Sequence, residues 1–174
     1  MENEIYHNPN WFVVYTKPRC EKKLKQSLEK AKIQTFLPLL KQRRRWSDRW
    51  KIIEFPAFSS YLFVKIIYYT ESQKVLADKN SVCIVHFAGK PAIIAEEDIE
   101  LLKIFLNEYP EKIKLQELEK LQTGKLVKIK HGPFAGRSAI VEKIKNSVYI
   151  VLNLPAVGKT LKLEIKKEDL ELDE

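Results

Sequence analysis

Cysteine and glycine are both scarce in this 174-residue chain, which contains two cysteines and five glycines. Two cysteines are too few for the disulfide framework of a small secreted domain, so the sequence predicts a reduced chain. So few glycines exclude a collagen-like chain. The longest stretch without a charged residue, 146–158, is 13 residues long, whereas a membrane-spanning helix needs about 20 apolar residues. We therefore expect no membrane span, and the lack of an apolar N-terminal segment predicts a cytoplasmic protein.

Apolar residues are plentiful, and basic residues are concentrated in one part of the chain. The apolar fraction of 45% is enough for a packed core and excludes intrinsic disorder. The net charge is +8, and residues 1–51 hold 13 basic and 5 acidic residues. Such a concentration of positive charge favours an anionic partner, of which nucleic acid is the commonest. The alternative interpretation is that the positive charge only keeps the protein soluble.

Residues that could support catalysis or metal binding are few and poorly placed. Cys83 and His86 are three positions apart in a predicted strand, so their side chains should point to opposite faces. The sequence Gly158-Lys159-Thr160 resembles the end of a phosphate-binding loop, but Asn153 replaces its first glycine and a strand pattern follows. We therefore predict no catalytic residue, no metal site and no cofactor, and hence no enzyme.

Hydrophobic periodicity alternates between strand and helix in the first two thirds of the chain. Short aromatic and β-branched runs at 11–15, 33–40 and 52–67 predict strands. Apolar residues at helical spacing predict three amphipathic helices, over 18–31, 70–79 and 96–109. The second of them opens on Thr70-Glu71-Ser72-Gln73, which has the pattern of a capping box.

The pattern changes after Pro110. Residues 124–174 hold four of the five glycines, and apolar and charged residues alternate there with period two, which predicts a small barrel of short strands. The charged segment before them contains no glycine and predicts a linker. The sequence therefore predicts an α+β chain in four parts: a loose N-terminus at 1–10, an antiparallel sheet flanked by helices at 11–109, a linker at 110–123, and an all-β barrel at 124–174.

Residues 41–51 read K-Q-R-R-R-W-S-D-R-W-K. Ser47-Asp48 has turn chemistry, so this segment predicts a hairpin with a basic tip. Arginine forms bidentate contacts with phosphate, and tryptophan stacks on unpaired bases. We therefore predict nucleic-acid contacts for the basic and aromatic residues of the tip, which are Arg43, Arg44, Arg45, Trp46, Arg49 and Trp50. A solvated hairpin whose tryptophans pack back on the sheet is the alternative.

Two further groups of aromatic residues have two interpretations each. Phe55, Phe58 and Tyr61, with Tyr15 on the first strand, form either part of the core or an exposed cluster that contacts a protein partner; the residues alone favour the core. Phe134 lies in the tight loop H-G-P-F-A-G, either as a lid on the barrel core or as a partner contact.

The order of these features resembles the NusG family of transcription elongation factors over about residues 10–172. The resemblance of the N-terminal part rests on W-F-V-V-Y-T-K-P-R-C-E-K-K, F-L-P-L, R-R-R-W-S-D-R, F-P-A-F-S-S-Y-L-F-V and V-H-F-A-G-K-P-A-I-I. In the C-terminal part it rests on G-K-L-V-K-I-K-H-G-P-F-A-G, the start of a KOW motif. Among relatives, the sequence is most similar to the UpxY group, specialised paralogues that act as antiterminators on capsular polysaccharide operons in Bacteroides-type bacteria.

The resemblance implies a NusG-type N-terminal domain and an SH3-like KOW barrel. It implies a factor that binds RNA polymerase, favours processive elongation and contacts upstream or non-template DNA at the bubble edge. By motif position, the polymerase contacts would be Tyr15, Phe58 and Tyr61 in an aromatic cavity, and Thr70, Ser72 and Gln73 at the second helix. DNA contacts are implied for Lys17 and Arg19 as well as for the hairpin.

The resemblance also implies that the barrel recruits a ribosomal protein or a termination factor, with Phe134 as the contact. We expect a monomer. Ser59-Ser60 replaces the Pro-Gly common in the family, which fits a specialised paralogue, and Ala139 stands where the KOW motif usually has glycine. The alternative function is that of a KOW-containing RNA-binding protein in translation, which would bind ribosomal RNA but not polymerase.

Overall fold

The computed structural model of the protein describes residues 4–110, 113–117, 124–129, 134–144 and 147–165. Within these ranges it contains three α-helices, and every strand pairing is antiparallel, so the predicted α+β class is confirmed. The chain divides into two compact units, 1–96 and 97–174. Each helix in the described ranges is too short or too polar to cross a membrane.

The first unit is built on a five-stranded sheet with strand β1 near its centre. Its elements are a 3₁₀ turn at Glu4–His7, β1 at Pro9–Thr16, α1 at Glu21–Lys30, β2 at Gln34–Phe36, β3 at Leu39–Arg45, β4 at Trp50–Pro56, β5 at Tyr61–Ile67, α2 at Tyr68–Leu76, β6 at Ser81–Ile84, β7 at His86–Phe87, β8 at Lys90–Pro91 and β9 at Ile93–Ile94. The sheet has the order β2-β5-β1-β6, and β9 also pairs with β1. Strands β3 and β4 form a separate hairpin, as do β7 and β8.

The core of the first unit forms on both faces of β1. Trp11, Phe12, Val13 and Val14 are all at most 1% exposed, which explains why this strand reads as one continuous apolar run. Helix α1 contributes Leu24 and Leu28, which are four positions apart and so share one helix face, to the cluster on one side of the sheet. Helix α2 covers the same side through its buried Val75.

The sequence predicted a loose N-terminus at residues 1–10. The structure describes this segment from residue 4 onward, and there it is ordered. Residues 4–7 form the 3₁₀ turn, and the Tyr6 ring packs against Phe12 and Tyr68 with ring centroids 6.2 and 5.6 Å apart. The Tyr6 hydroxyl donates a hydrogen bond to the Pro91 carbonyl at 3.3 Å. One aromatic anchor therefore holds a segment whose composition is polar.

Two element boundaries also differ from their predictions. The predicted strand 33–40 is interrupted at Pro38, whose carbonyl instead accepts a hydrogen bond from the Ala57 N–H at 2.8 Å. Helix α2 begins at Tyr68, two residues before the predicted capping position Thr70. The Glu71 carboxylate accepts a hydrogen bond from the Ile67 N–H at 2.8 Å, so Glu71 caps the helix at this earlier N-terminus in place of the predicted capping box of Thr70 and Gln73.

The second unit contains a helix and a five-stranded antiparallel sheet. Its elements are α3 at Glu96–Glu108, β10 at Ile113–Glu117, β11 at Lys125–Lys128, β12 at Ser138–Ile144, β13 at Ser147–Leu154, a 3₁₀ turn at Pro155–Val157 and β14 at Lys159–Ile165. Helix α3 starts at the last residue of the first unit. The sheet has the order β10-β14-β13-β12-β11.

Strand β10 falls within the segment that the sequence assigned to a linker. Ile113–Glu117 pairs with β14 as an edge strand, so these five residues are a strand and not a linker. Ile113 and Leu115 alternate with polar neighbours, which is a strand pattern. The linker prediction missed it because it relied on the high content of charged residues. Residues 111–112 and 118–123 of the predicted linker lie outside the described residues, and the domain boundaries stay a prediction.

Candidate functional site

Tyr15 on β1 and Tyr61 on β5 form a pair at one end of the first sheet. The two residues lie directly opposite each other in the antiparallel register, and their ring centroids are 5.5 Å apart. Directly opposite residues share a face of a sheet, so both rings point to the same side. Tyr15 is 39% exposed and Tyr61 is half-buried. This tyrosine pair is a surface feature, unlike the core packing that the residues alone favoured.

Phe58 is placed differently from the two tyrosines. Its side chain is 2% exposed, and its ring packs edge-on against Phe63 at 5.9 Å. Phe55 on β4 is 39% exposed. The aromatic run therefore divides into a core residue, Phe58, and surface residues, so Phe58 is not exposed for the polymerase contact that was predicted for it.

A buried glutamate on α1 holds the turn that leads into Tyr61. The Glu21 carboxylate, in a residue only 6% exposed, accepts a hydrogen bond from the Ser60 N–H at 2.7 Å. The Ser60 carbonyl accepts a hydrogen bond from the Thr16 N–H at 2.8 Å, next to Tyr15. Glu21 thus ties the start of α1 to both strands that carry the tyrosine pair. Sequence reasoning missed this role because an acidic residue in the first helical turn is usually explained by the helix dipole alone.

Ser60 adopts a left-handed backbone conformation with φ of 65°, which glycine would adopt without strain. This conformation costs a non-glycine residue roughly 1–2 kcal/mol, while glycine adds roughly 0.4–1 kcal/mol of unfolded-state entropy. We therefore expect Ser60→Gly to raise the free energy of unfolding by about 0.5–1 kcal/mol in a denaturant titration. The matched control is Ser59→Gly, whose φ is not positive and which should lower stability or leave it unchanged. Equal effects of the two substitutions would mean that backbone strain is not the cause.

The loop between β1 and α1 carries the predicted nucleic-acid contacts Lys17 and Arg19, and both are exposed. The Lys17 N–H donates a hydrogen bond to the Asn80 carbonyl at 2.9 Å. Arg19 also has a left-handed backbone, with φ of 60°. Residues held in such conformations concentrate at binding sites, where surrounding structure maintains the strain. The loop presents two exposed cations within four residues of Tyr15 in the sequence.

The predicted basic hairpin is confirmed. Strands β3 and β4 pair over seven positions, from Leu39 opposite Pro56 to Arg45 opposite Trp50. The Trp46 N–H donates a hydrogen bond to the Arg49 carbonyl at 2.8 Å, which places Ser47 and Asp48 at the centre of the connecting loop. Every residue from 41 to 52 is exposed.

The two tryptophans of the hairpin lie on opposite faces of it. The Arg43 guanidinium lies 4.9 Å from the ring centroid of Trp50, while the Lys51 ammonium lies 5.9 Å from that of Trp46. Because side chains alternate between the faces of a strand, Arg44 shares the face of Trp46, and Arg45 shares that of Trp50. Each tryptophan is 57% exposed, so neither packs back on the sheet.

The positive charge of the hairpin is largely uncompensated. The ion pair within it joins Lys41 and Glu54 at 3.7 Å, and in the described part of the chain no carboxylate pairs with any arginine of the tip. Like charges this close repel one another, and an anion would relieve that repulsion. The exposed arginines and tryptophans together can contact both phosphate groups and the faces of unpaired bases.

The start of α2 brings only part of its predicted set to the surface. Thr70 and Gln73 are exposed, whereas Ser72 is 7% exposed and faces the core, contrary to its predicted contact role. This segment follows the end of β5, and Tyr61 stands at the beginning of that strand. At about 3.3 Å per residue, the two predicted polymerase contacts are separated by about 20 Å along β5.

Phe134 is covered by aromatic residues of the second unit. It is 3% exposed, and its ring centroid lies 5.7 Å from Phe105 and 5.8 Å from Tyr109. A partner contact through Phe134 would require it to leave these two rings. The neighbouring residues 131–133 of the predicted loop lie outside the described residues. Ala139, where the resemblance to a KOW motif implies glycine, lies in β12 without a positive φ, so alanine is not strained there.

Comparisons with known proteins identify relatives of this chain. A family model described as transcription termination factor NusG matches residues 9–103, more than half of the chain. A solved structure titled "Domain interaction in Thermotoga maritima NusG" is 21% identical, covers 97% of this chain and 99% of that chain, and has a TM-score of 0.48. A search of curated proteins finds no match.

Proposed function

The chain belongs to the NusG family of transcription factors, and on that premise we propose that it is a transcription elongation and antitermination factor that binds RNA polymerase. NusG-family proteins interact with RNA polymerase, and the matched region 9–103 contains every residue for which we propose a polymerase contact. The exposed tyrosine pair is the observation that carries the proposal.

The tyrosine pair has the properties of a protein-binding anchor. Tyrosine buries a large apolar area at low entropic cost and keeps a polar hydroxyl, so it is enriched among the residues that dominate interfaces. Glu21 and the Ser59-Ser60 turn hold Tyr61 in place before any partner arrives. In this proposal the pair enters an apolar surface of the polymerase, Phe58 supports it from the core, and Thr70 and Gln73 approach a second surface about 20 Å away.

The basic hairpin would contact the DNA of the transcription bubble. Its arginines and tryptophans are exposed, and the arginines form no ion pair with a described residue, which supports a contact with phosphates and unpaired bases. Lys17 and Arg19 would extend that contact along the loop before α1. Binding at the bubble edge, on upstream or non-template DNA, would oppose the strand rearrangements that accompany pausing and so favour processive elongation.

Three finer features complete the proposal. The chain would belong to the UpxY-type group, which Ser59-Ser60 and the motif R-x-W-S-D-R support. The KOW barrel would recruit a ribosomal protein or a termination factor through Phe134 once the Phe105 and Tyr109 rings separate from it. The protein would act as a monomer in the cytoplasm.

Co-purification of the tagged full-length chain from a bacterial lysate tests the proposal against its alternative. We expect RNA polymerase to be retained at physiological salt, and a purified complex to escape pauses faster in single-round transcription. A KOW-containing protein of translation would instead retain ribosomal subunits and their RNA, with no effect on pausing. Retention of ribosomes without polymerase would therefore contradict the proposed function.

A further inference from the structure

A groove of about 530 Å³ lies between helix α1 and the basic hairpin. Its lining combines three lysines, one glutamate and three apolar side chains, namely Lys22, Lys41, Lys51, Glu54, Trp46, Ile52 and Ile53. Apart from Trp46, the tip residues with predicted nucleic-acid contacts do not line it, so the groove is distinct from the arginine cluster of the hairpin.

The groove presents one flat aromatic surface and the ammonium groups of Lys22 and Lys51. Trp46 is 57% exposed and has the Lys51 ammonium 5.9 Å from its ring centroid. In the part of the chain that the structure describes, neither Lys22 nor Lys51 forms an ion pair, whereas Lys41 pairs with Glu54 at 3.7 Å. Two ammonium groups without a carboxylate partner in the described part of the chain, beside an exposed indole, match the phosphate and the base of a nucleotide.

We propose that this groove holds a single unpaired nucleotide, with its base stacked on Trp46 and its phosphate bound by Lys22 and Lys51. The inference rests on the proposed contact with the transcription bubble and names the element of DNA that is recognised. Paired bases hide their faces in the helical stack, so a duplex cannot occupy the Trp46 ring in this way. The groove therefore selects single-stranded DNA of the bubble over the flanking duplex.

Phe87 on β7 provides an internal comparison. It is 59% exposed, close to the 57% of Trp46, but it lies outside the hairpin and does not line the groove. On α1, Lys23 is exposed like its neighbour Lys22 but does not line the groove. The chain thus offers a matched control for the stacking residue and for a phosphate-binding residue.

The experiment measures binding of the full-length protein to a fluorescein-labelled single-stranded 12-mer and to the same sequence as a duplex. We expect Trp46→Ala to weaken single-strand binding about tenfold and Phe87→Ala at most about twofold, with duplex binding unchanged in both. Lys22→Gln should weaken single-strand binding more than Lys23→Gln. A 12-mer of abasic residues, which keeps the phosphates, should bind the wild type as weakly as Trp46→Ala binds the intact strand.

Several results would overturn the groove as a nucleotide site. Equal effects of Trp46→Ala and Phe87→Ala, or equal binding of intact and abasic strands, would exclude base stacking on Trp46. Displacement of the strand by polyglutamate, equally in the wild type and in Trp46→Ala, would identify an acidic peptide as the occupant. Polymerase co-purification is measured separately. If the wild-type protein does not retain polymerase, the proposed function is contradicted. If polymerase is retained but the Trp46 and Lys22 variants bind single strands like the wild type, only the nucleotide site in the groove is contradicted.

Discussion

Tyr15→Ala and Tyr61→Ala should each weaken binding to RNA polymerase by about 1–3 kcal/mol, or roughly 5- to 150-fold in Kd. Both rings are presented on one face of the sheet, and Tyr15 is exposed, so truncation removes contact area without opening the core. The measurement is a titration of labelled polymerase with each variant, alongside its thermal unfolding curve. Thermal stability should change little for Tyr15→Ala.

Two comparisons make this prediction specific to the tyrosine pair. Leu76→Ala removes an apolar side chain of similar exposure, 37% against 39%, from the helix that covers the other face of the sheet, and should leave polymerase affinity unchanged. Phe58→Ala should instead lower the free energy of unfolding by about 3–5 kcal/mol, because it empties a buried aromatic site. If Tyr15→Ala and Leu76→Ala bind equally well, the tyrosine pair is not the polymerase contact.

Replacing Arg43, Arg44 and Arg45 with Gln should strongly reduce the salt dependence of DNA binding. Each lost phosphate contact lowers the slope of log K against log salt by about 0.7–0.9, so three lost contacts lower it by about 2–3. A fourfold rise in salt would then weaken the wild type roughly 20- to 40-fold more than the triple variant. The measurement is a salt titration of binding to a DNA scaffold that contains a bubble, with and without polymerase.

The control for this variant removes the same number of positive charges elsewhere in the first unit. Lys32, Lys74 and Lys79 are exposed and distant from the hairpin in sequence, and their replacement with Gln should leave the slope nearly unchanged. Polymerase binding through the tyrosine pair should survive in both variants, because neither changes that pair. An equal fall in slope for the two variants would mean that the hairpin acts only through net charge.

Features that depend on neighbouring residues were predictable from the sequence. The continuous apolar run Trp11 to Val14 predicted a strand, and the structure buries it near the centre of a sheet. Ser47-Asp48 between two β-prone runs predicted the hairpin and its turn. The acidic start at 96–98 and the apolar spacing after it predicted helix α3 almost to its last residue. Each of these signals is a local preference of the backbone, so nearby residues are enough to reveal it.

Features that depend on which elements cover a face were decided only by the tertiary structure. Phe58 and Tyr61 belong to one aromatic run, yet one is in the core and the other is in the surface pair, because strand register and the turn at Ser60 direct them differently. Glu21 became part of the site because residue 60 comes within hydrogen-bond distance of residue 21. Composition and spacing thus determined the elements and the charge of this protein. Exposure, and with it the candidate site, arose from contacts between residues distant in sequence, which no local pattern encodes.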